Sequence, residues 1–183
     1  VVQQWYAARL GTEEKPAGAT LVDLDTLHHD LYELPPGLGA DFIALSTELR
    51  QIEDYPENEA YPQMQRRTAS VAGDLVVEFD RDGRVVRRLA LLDVLDPARV
   101  CYDSLEDFWS HTYGGIDTED WAHANAVLID PRDGNYVISA RNQDAVFKIE
   151  RATGRLVWLL APPLNWRSPW REKLLRPIGK PFE

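Results

Sequence analysis

One histidine, one asparagine and one arginine stand where a β-hairpin would bring them together. His123 and Asn125 are two residues apart at the start of the run Ala124–Ile129, so they share one face of an extended strand. Asp130-Pro131-Arg132-Asp133-Gly134 is a turn sequence, and Tyr136–Ala140 behind it reads as a second strand. Folding about Arg132-Asp133 returns Arg141, at the end of that strand, to a position opposite Ala124 and Asn125. An imidazole exchanges a proton near neutral pH, a carboxamide donates without charge, and a guanidinium offers a planar fork of donors. Together they make a polar site suited to a small anion, at one end of one sheet.

The elements that must position this site run from Thr118 to Leu160. After the first hairpin, Arg141-Asn142-Gln143-Asp144 turns into Ala145–Ile149, and Arg151–Gly154 turns into Arg155–Leu160, giving a four-stranded meander. The same pattern occurs earlier. DLVVEFDRDGRVVRRL from Asp74 matches DAVFKIERATGRLVWLL from Asp144, and HHDLYELPPG from His28 matches HANAVLIDPRDG from His123. A repeated four-stranded meander is the mark of a β-propeller, so the fold class expected is all-β, built of antiparallel blades.

The expected organisation is a single propeller domain over residues 1–183. Residues 1–26 supply an outer strand of a preceding blade (VVQQWYAA) and a linker. Residues 27–92 form a blade interrupted by a polar, proline-bearing surface insertion at 47–72. Residues 93–120 are a linker with a short helix capped by Ser104, and 121–160 form the second blade. Residues 161–183 lead to the next blade, with a helical turn at Arg171–Arg176 and a new inner strand starting at Pro181-Phe182-Glu183. Two blades and one outer strand leave sheet edges unpaired, so further C-terminal blades are expected as partners of this chain, with a homodimer as a further option.

Composition sets outer bounds. The 183 residues carry 30 acidic and 20 basic side chains, a formal net charge of −10, which disfavours binding to nucleic acid. A local Arg/His cluster can still oppose that global charge for a small anion. No apolar run reaches the ~20 residues of a membrane span. The first residues show no signal-peptide pattern, and one cysteine, Cys101, excludes an internal disulfide.

Asp120-Trp121-Ala122-His123-Ala124-Asn125, followed by Ser139-Ala140-Arg141-Asn142-Gln143-Asp144-Ala145-Val146-Phe147-Lys148-Ile149, resembles the bacterial arylsulfate sulfotransferase family. The resemblance takes in His28-His29-Asp30, Leu95-Asp96-Pro97 and Thr153-Gly154 with Trp158, and covers most of residues 20–165. It implies a six-bladed propeller whose active site includes the His-x-Asn of an inner strand and the Ser-x-Arg-x-Gln of the second turn. It implies transfer of a sulfuryl group from an aryl sulfate ester to a phenol through a sulfohistidine. No nucleotide sulfate donor or other cofactor is needed, and the setting is periplasmic or secreted. The nucleophilic histidine is implied on the next blade, beyond Glu183, so this chain carries the supporting residues.

The chemistry of the residues agrees with that implication. A sulfuryl group, like a phosphoryl group, passes through a loose transition state with charge on its equatorial oxygens, where hydrogen-bond donors matter most. Arg141 and His123 are the catalytic candidates on the later blade; Asn125 is a substrate-binding donor. The family's further active-site histidine carries over to His28, catalytic, with His29 as a substrate-binding alternative. By strict alternation His28 faces the channel beside His123 and His29 lies in the sheet behind it. The opposed rings of that doublet leave too few ligands for zinc, so no metal is expected.

Plainer readings stand beside these. Arg141 would fill a turn and pair with Asp144, while His123 bonds to nearby backbone. His111 reads as a loop histidine satisfied locally. Trp109, Tyr113 and Trp121 suit either an aryl pocket or the core, and Trp158 suits the core. The alternative function is a non-catalytic propeller that binds a ligand or partner at the channel mouth.

Overall fold

The computed structural model describes residues 5–7 and 18–179. Strand β1 (Trp5–Ala7) pairs in parallel with β2 (Thr20–Val22). The rest of the expected VVQQWYAA strand lies outside the described residues, as does the new strand expected at Pro181-Phe182-Glu183.

The architecture is all-β, with two antiparallel meanders. The first runs β3 (His28–Glu33), β4 (Phe42–Pro56), β5 (Arg66–Phe79) and β6 (Val85–Ala90) in spatial order. A short β7 (Glu119–Asp120) then adds in parallel to the far half of β5, with Ala72 opposite Asp120. The second meander runs β8 (Ala124–Ile129), β9 (Tyr136–Ala140), β10 (Ala145–Ile149) and β11 (Leu156–Leu160). Helical structure among the described residues is confined to 3₁₀ turns at Leu91–Asp93, Arg141–Gln143 and Trp170–Lys173. None of the described helices is long and apolar enough to cross a membrane.

The turns follow from their residues. Asp130 Oδ1 accepts the Arg132 amide at 3.0 Å, and the Gly134 amide returns to the Asp130 carbonyl at 2.8 Å. That closes the β8–β9 hairpin with Gly134 at φ +72°. Gly83, between β5 and β6, is needed for a second reason: a Cβ there would lie 2.2 Å from the Leu21 carbonyl oxygen.

Three expectations need correction. Residues 47–72 are not a surface insertion: β4 and β5 continue as one ladder from Thr47↔Asp74 to Pro56↔Arg66, leaving only 57–65 as the turn. Apolar residues anchor both faces of this ribbon: Leu49 packs with Ala72, Trp109 and Tyr113, while Ile52, Ala69, Val71 and the fully buried Tyr55 join the main core. No helix starts at Ser104. Its hydroxyl accepts from the Cys101 amide at 3.0 Å and donates to the Asn142 carbonyl at 2.8 Å, so it ties the linker to the second meander instead of capping a helix. The helical turn expected at Arg171–Arg176 lies slightly earlier, at Trp170–Lys173.

The two meanders share one core, with Ile43, Leu45 and Val76 from the first, Ile138, Phe147 and Leu159 from the second, and Trp121 from the linker. Strand β8 is the edge of its sheet, and an edge strand leaves amides unpaired. Side chains of the other meander satisfy them: Asp74 Oδ1 takes the Ala124 amide at 3.0 Å, Asp30 Oδ2 that of Val127 at 3.0 Å, and the Tyr32 hydroxyl that of Ile129 at 2.8 Å. Further out, Tyr136 donates to Glu78 at 2.6 Å and Arg151 grips both Glu78 oxygens at 2.5 and 2.6 Å. The first strands of the two meanders are thereby locked side by side.

Candidate active site

The site lies where β3 and β8 begin. Both of its imidazoles come from residues with left-handed backbone, His29 at φ +52° and His123 at φ +47°. Such a conformation is uncommon for a residue with a Cβ and marks a position held by its surroundings. Each is followed by an irregularity in the ladder, between His28 and Leu31 on one strand and between Ala124 and Ala126 on the other. A bulge re-aims side chains. The result is that His29 Nε2 and His123 Nε2 lie 3.0 Å apart, with ring centroids separated by 5.0 Å.

This corrects the order of the doublet. Strict alternation puts His28 beside His123, but the turned backbone at His29 swings that ring forward and leaves His28 behind it. The His28 side chain is only 10% exposed, with its nearest carboxylate oxygen, Asp74 Oδ1, 3.7 Å away. Its ring packs against Trp109 at 5.1 Å, and neither nitrogen makes a hydrogen bond. Burial accordingly pushes the His28 pKa down to about 4, and the same burial raises the Asp74 carboxyl to about 7.

Asn125, in the β8 irregularity, brings Nδ2 to 3.5 Å from His29 Nε2. Arg141 opens the 3₁₀ turn after β9, and its amide donates to the His123 carbonyl at 3.1 Å, which fixes the two backbones together. The guanidinium is near enough to oppose charge on the His123 ring. Its side chain forms an ion pair with Asp103 and donates to Asn142 Oδ1 at 3.2 Å. The expected pairing with Asp144 is replaced by Asp103, because Asp144, at φ +45°, ends the turn. The Arg141 side chain is about half exposed. His123, Asn125, His29 and Arg141 therefore converge; His28 stands one layer back.

Several neighbours escaped the reading of the sequence. Asp120 Oδ2 accepts His123 Nδ1 at 2.5 Å, and Asp120 Oδ1 accepts the Trp109 indole at 2.8 Å. The hydrogen bond from Asp120 raises the His123 pKa against the opposing effect of burial. Burial and then the neighbouring His123 lower that of His29. Phe108, half exposed, sets its ring 5.1 Å from that of His123. The i, i+3 spacing of Asp120 and His123 was a usable signal. Phe108 had none beyond being aromatic in a linker.

Other residues of the motifs are structural. Gln143 is fully buried, donating to the Trp121 carbonyl at 2.7 Å and accepting from Arg99 at 2.9 Å. Trp121 lies in the core, Trp109 and Tyr113 are buried beside the site, and Trp158 is half-buried. His111 is exposed and bonds its neighbour Thr112 at 3.2 Å. Groups of three or more His, Cys, Asp or Glu placed to hold a metal ion do not occur among the described residues. The donors that do converge are those that bind and polarise an oxyanion, with one imidazole equipped to exchange a proton.

Known proteins are similar in sequence over more than half of this chain. The family model described as Arylsulfotransferase (ASST) matches residues 17–183. The Arylsulfate sulfotransferase AssT of Escherichia coli O6:H1 (strain CFT073) is 33% identical over 135 residues, which is 60% of this chain and 22% of that protein. The Arylsulfate sulfotransferase AssT of Lelliottia amnigena is 30% identical over 128 residues, 57% of this chain and 21% of that protein. The chain thus spans about a fifth of the length of the curated relatives it matches. Since the matched span takes in both meanders and every residue that converges between them, the chain belongs to the arylsulfotransferase family.

Proposed function

We propose that this chain forms part of a sulfotransferase active site that moves a sulfuryl group from an aryl sulfate ester to a phenol, with no nucleotide donor. The single observation that carries the reading is the convergence of two imidazoles, a carboxamide and a guanidinium at the paired ends of β3 and β8. Charge grows on the equatorial sulfuryl oxygens as the bond to the leaving group breaks, and Arg141 and Asn125 are the donors that meet it. His123 takes the proton of the acceptor phenol as its oxygen bonds to sulfur, and returns a proton to the departing aryl oxide in the first half of the cycle. His29, rather than His28, is the second imidazole of the site, with Nε2 3.0 Å from His123 Nε2.

In this reading the two meanders are blades of a six-bladed propeller, and another blade brings the histidine that is transiently sulfated. Phe108 gives the aryl ring an apolar surface beside His123. The setting that the resemblance implies for the protein is the periplasm or the exterior.

The test is sulfuryl transfer from a chromogenic aryl sulfate to a phenol by the full polypeptide carrying these residues. Trapping of the sulfated enzyme with donor alone should show a label that is labile in acid and stable in base, as a phosphoramidate-like S–N bond is. Turnover without any covalent intermediate would overturn the two-step course; absence of transfer with every aryl sulfate offered would overturn the reading as a whole.

A further inference from the structure

Asp120 is a buried carboxylate at the end of β7. It is 3% exposed, yet its single ion-pair partner among the described residues is His123. The remaining contacts are neutral donors: the Trp109 indole at 2.8 Å on Oδ1, and Asn142 Nδ2 at 3.2 Å on Oδ2. Its backbone is fixed as well, since its amide donates to the Glu106 carbonyl at 3.0 Å and its carbonyl accepts Asn142 Nδ2 at 2.7 Å. A carboxylate removed this far from water keeps its charge only beside a cation or strong donors. The one group here able to become a cation in contact with it is the imidazole of His123.

The hydrogen-bond directions follow. An ionised carboxylate only accepts, so the 2.5 Å contact requires a proton on His123 Nδ1. His123 Nε2 then points at His29 Nε2, 3.0 Å away, and one proton must lie on that line. The Asn125 amide approaches the same His29 nitrogen at 3.5 Å as a donor, which leaves that nitrogen to accept. With His29 accepting, the shared proton sits on His123 Nε2, and His123 is the imidazolium of the pair.

We propose that Asp120 is a positioning residue that holds a proton on His123 Nδ1 and so makes His123 Nε2, not a nitrogen of His28 or His29, the proton-exchanging atom of the cleft. The titratable groups facing that ring are Asp120 from β7, Asp74 from β5, His28 and His29 from β3, and Arg141 from the turn after β9. Asp120 and Asp74 favour the charged ring; Arg141 and the other two histidines oppose it. The direct hydrogen bond decides the balance, because it acts at contact distance. The proposal rests on the sulfotransferase reading only for its purpose, since the proton position is a property of the chain without substrate.

The experiment is a pH titration of histidine ¹⁵N and ¹³C signals in the full polypeptide, with His123 assigned through His123→Gln. In the wild type, His123 should keep a protonated Nδ1 throughout and titrate above 6.5, with His29 titrating below it. Asp120→Asn keeps the shape and removes the charge, and should lower the His123 midpoint by about one to three pH units. Asp120→Glu should restore part of that shift, which a merely structural role would not do. The basic limb of the kcat/KM pH profile should move with the NMR midpoint. A neutral wild-type His123 with its proton on Nε2, or an Asp120→Asn midpoint equal to wild type, would overturn the proposal. Should Asp120→Asn fail to fold, the wild-type proton position alone decides. If the titrations come out as expected and no sulfuryl transfer is found, the function falls and the role of Asp120 stands.

Discussion

His29 Nε2 and His123 Nε2 face each other at 3.0 Å although 94 positions separate them in the chain. Two turned residues, each at positive φ and each beside a ladder irregularity, make that meeting possible. Neither strand in regular geometry would bring these rings to one point, since alternation would present His28 to the neighbouring meander.

The doublet should therefore separate function from stability. His29→Gln in the full polypeptide should lower kcat/KM for an aryl sulfate on the order of a hundredfold, because the imidazole acceptor that orients His123 Nε2–H is lost. His28→Phe should cost much less activity, because that ring is buried behind Trp109 with no hydrogen bond to lose. Its effect appears in stability. His28 has a folded pKa near 4, well under its ordinary 6.5, so the unfolded chain binds the extra proton between those values. Wild-type stability falls as pH drops through that window, and His28→Phe, measured by denaturant melts at pH 7 and pH 4.5, should gain on wild type at the lower pH. A larger activity loss for His28→Phe than for His29→Gln would reverse the assignment.

Much of this site was legible because its parts obey local rules. Turn residues and alternating runs locate all four strands from Ala124 to Leu160 to within a residue, and the hairpin arithmetic, which puts Arg141 opposite Ala124 and Asn125, falls next to the His123 carbonyl that its amide bonds. Two kinds of information were out of reach. The positive φ at His29 is imposed by tertiary contacts, so a reading by alternation put His28 in its place. The parallel pairing of Ala72 with Asp120 joins segments far apart in sequence, and it delivers the carboxylate that bonds His123. The long β4–β5 ribbon reads as an insertion because it is polar and proline-bearing and its apolar residues are sparse and split between faces, Leu49 on one and Ile52 with Tyr55 on the other.

Asp74 predicts a second pH effect, of opposite sign. Burial raises its folded pKa to about 7 from an ordinary 3.8, so the folded chain binds the extra proton between those values. Stability is lost as pH rises through that window. Asp74→Asn retains an oxygen to accept the Ala124 amide but cannot ionise. Its stability relative to wild type should grow from pH 4 to pH 8, by up to about 4 kcal/mol. A constant difference across that range would mean that Asp74 stays charged in the fold.

The seam between the meanders can be tested away from the site. The Tyr32 hydroxyl accepts the Ile129 amide at 2.8 Å, and Tyr32→Phe leaves that edge amide without its partner. The expected loss is about 1–3 kcal/mol by denaturant unfolding. Asp30→Ala, which strips the acceptor for the Val127 amide, should cost a similar amount. Single mutants without measurable destabilisation would show that water serves these amides equally well.

Arg141 offers the sharpest division between a structural and a chemical role. Its backbone amide anchors the turn through the His123 carbonyl, a bond that any residue but proline would keep. Its side chain, about half exposed, pairs with Asp103, and an ion pair so open to solvent contributes at most about 1 kcal/mol to stability. Arg141→Ala should therefore melt within a few degrees of wild type. In catalysis the same group meets charge that exists fully only in the transition state, so its donors stabilise that state more than bound substrate. Its removal should cost about 3 kcal/mol, or about a hundredfold in kcat/KM with an aryl sulfate. Arg141→Lys should recover only part of this, because an ammonium cannot span two sulfuryl oxygens and Asp103 as a fork does. Steady-state kinetics and melts on the three proteins decide the matter: normal kinetics with a lowered melting temperature would return Arg141 to the turn.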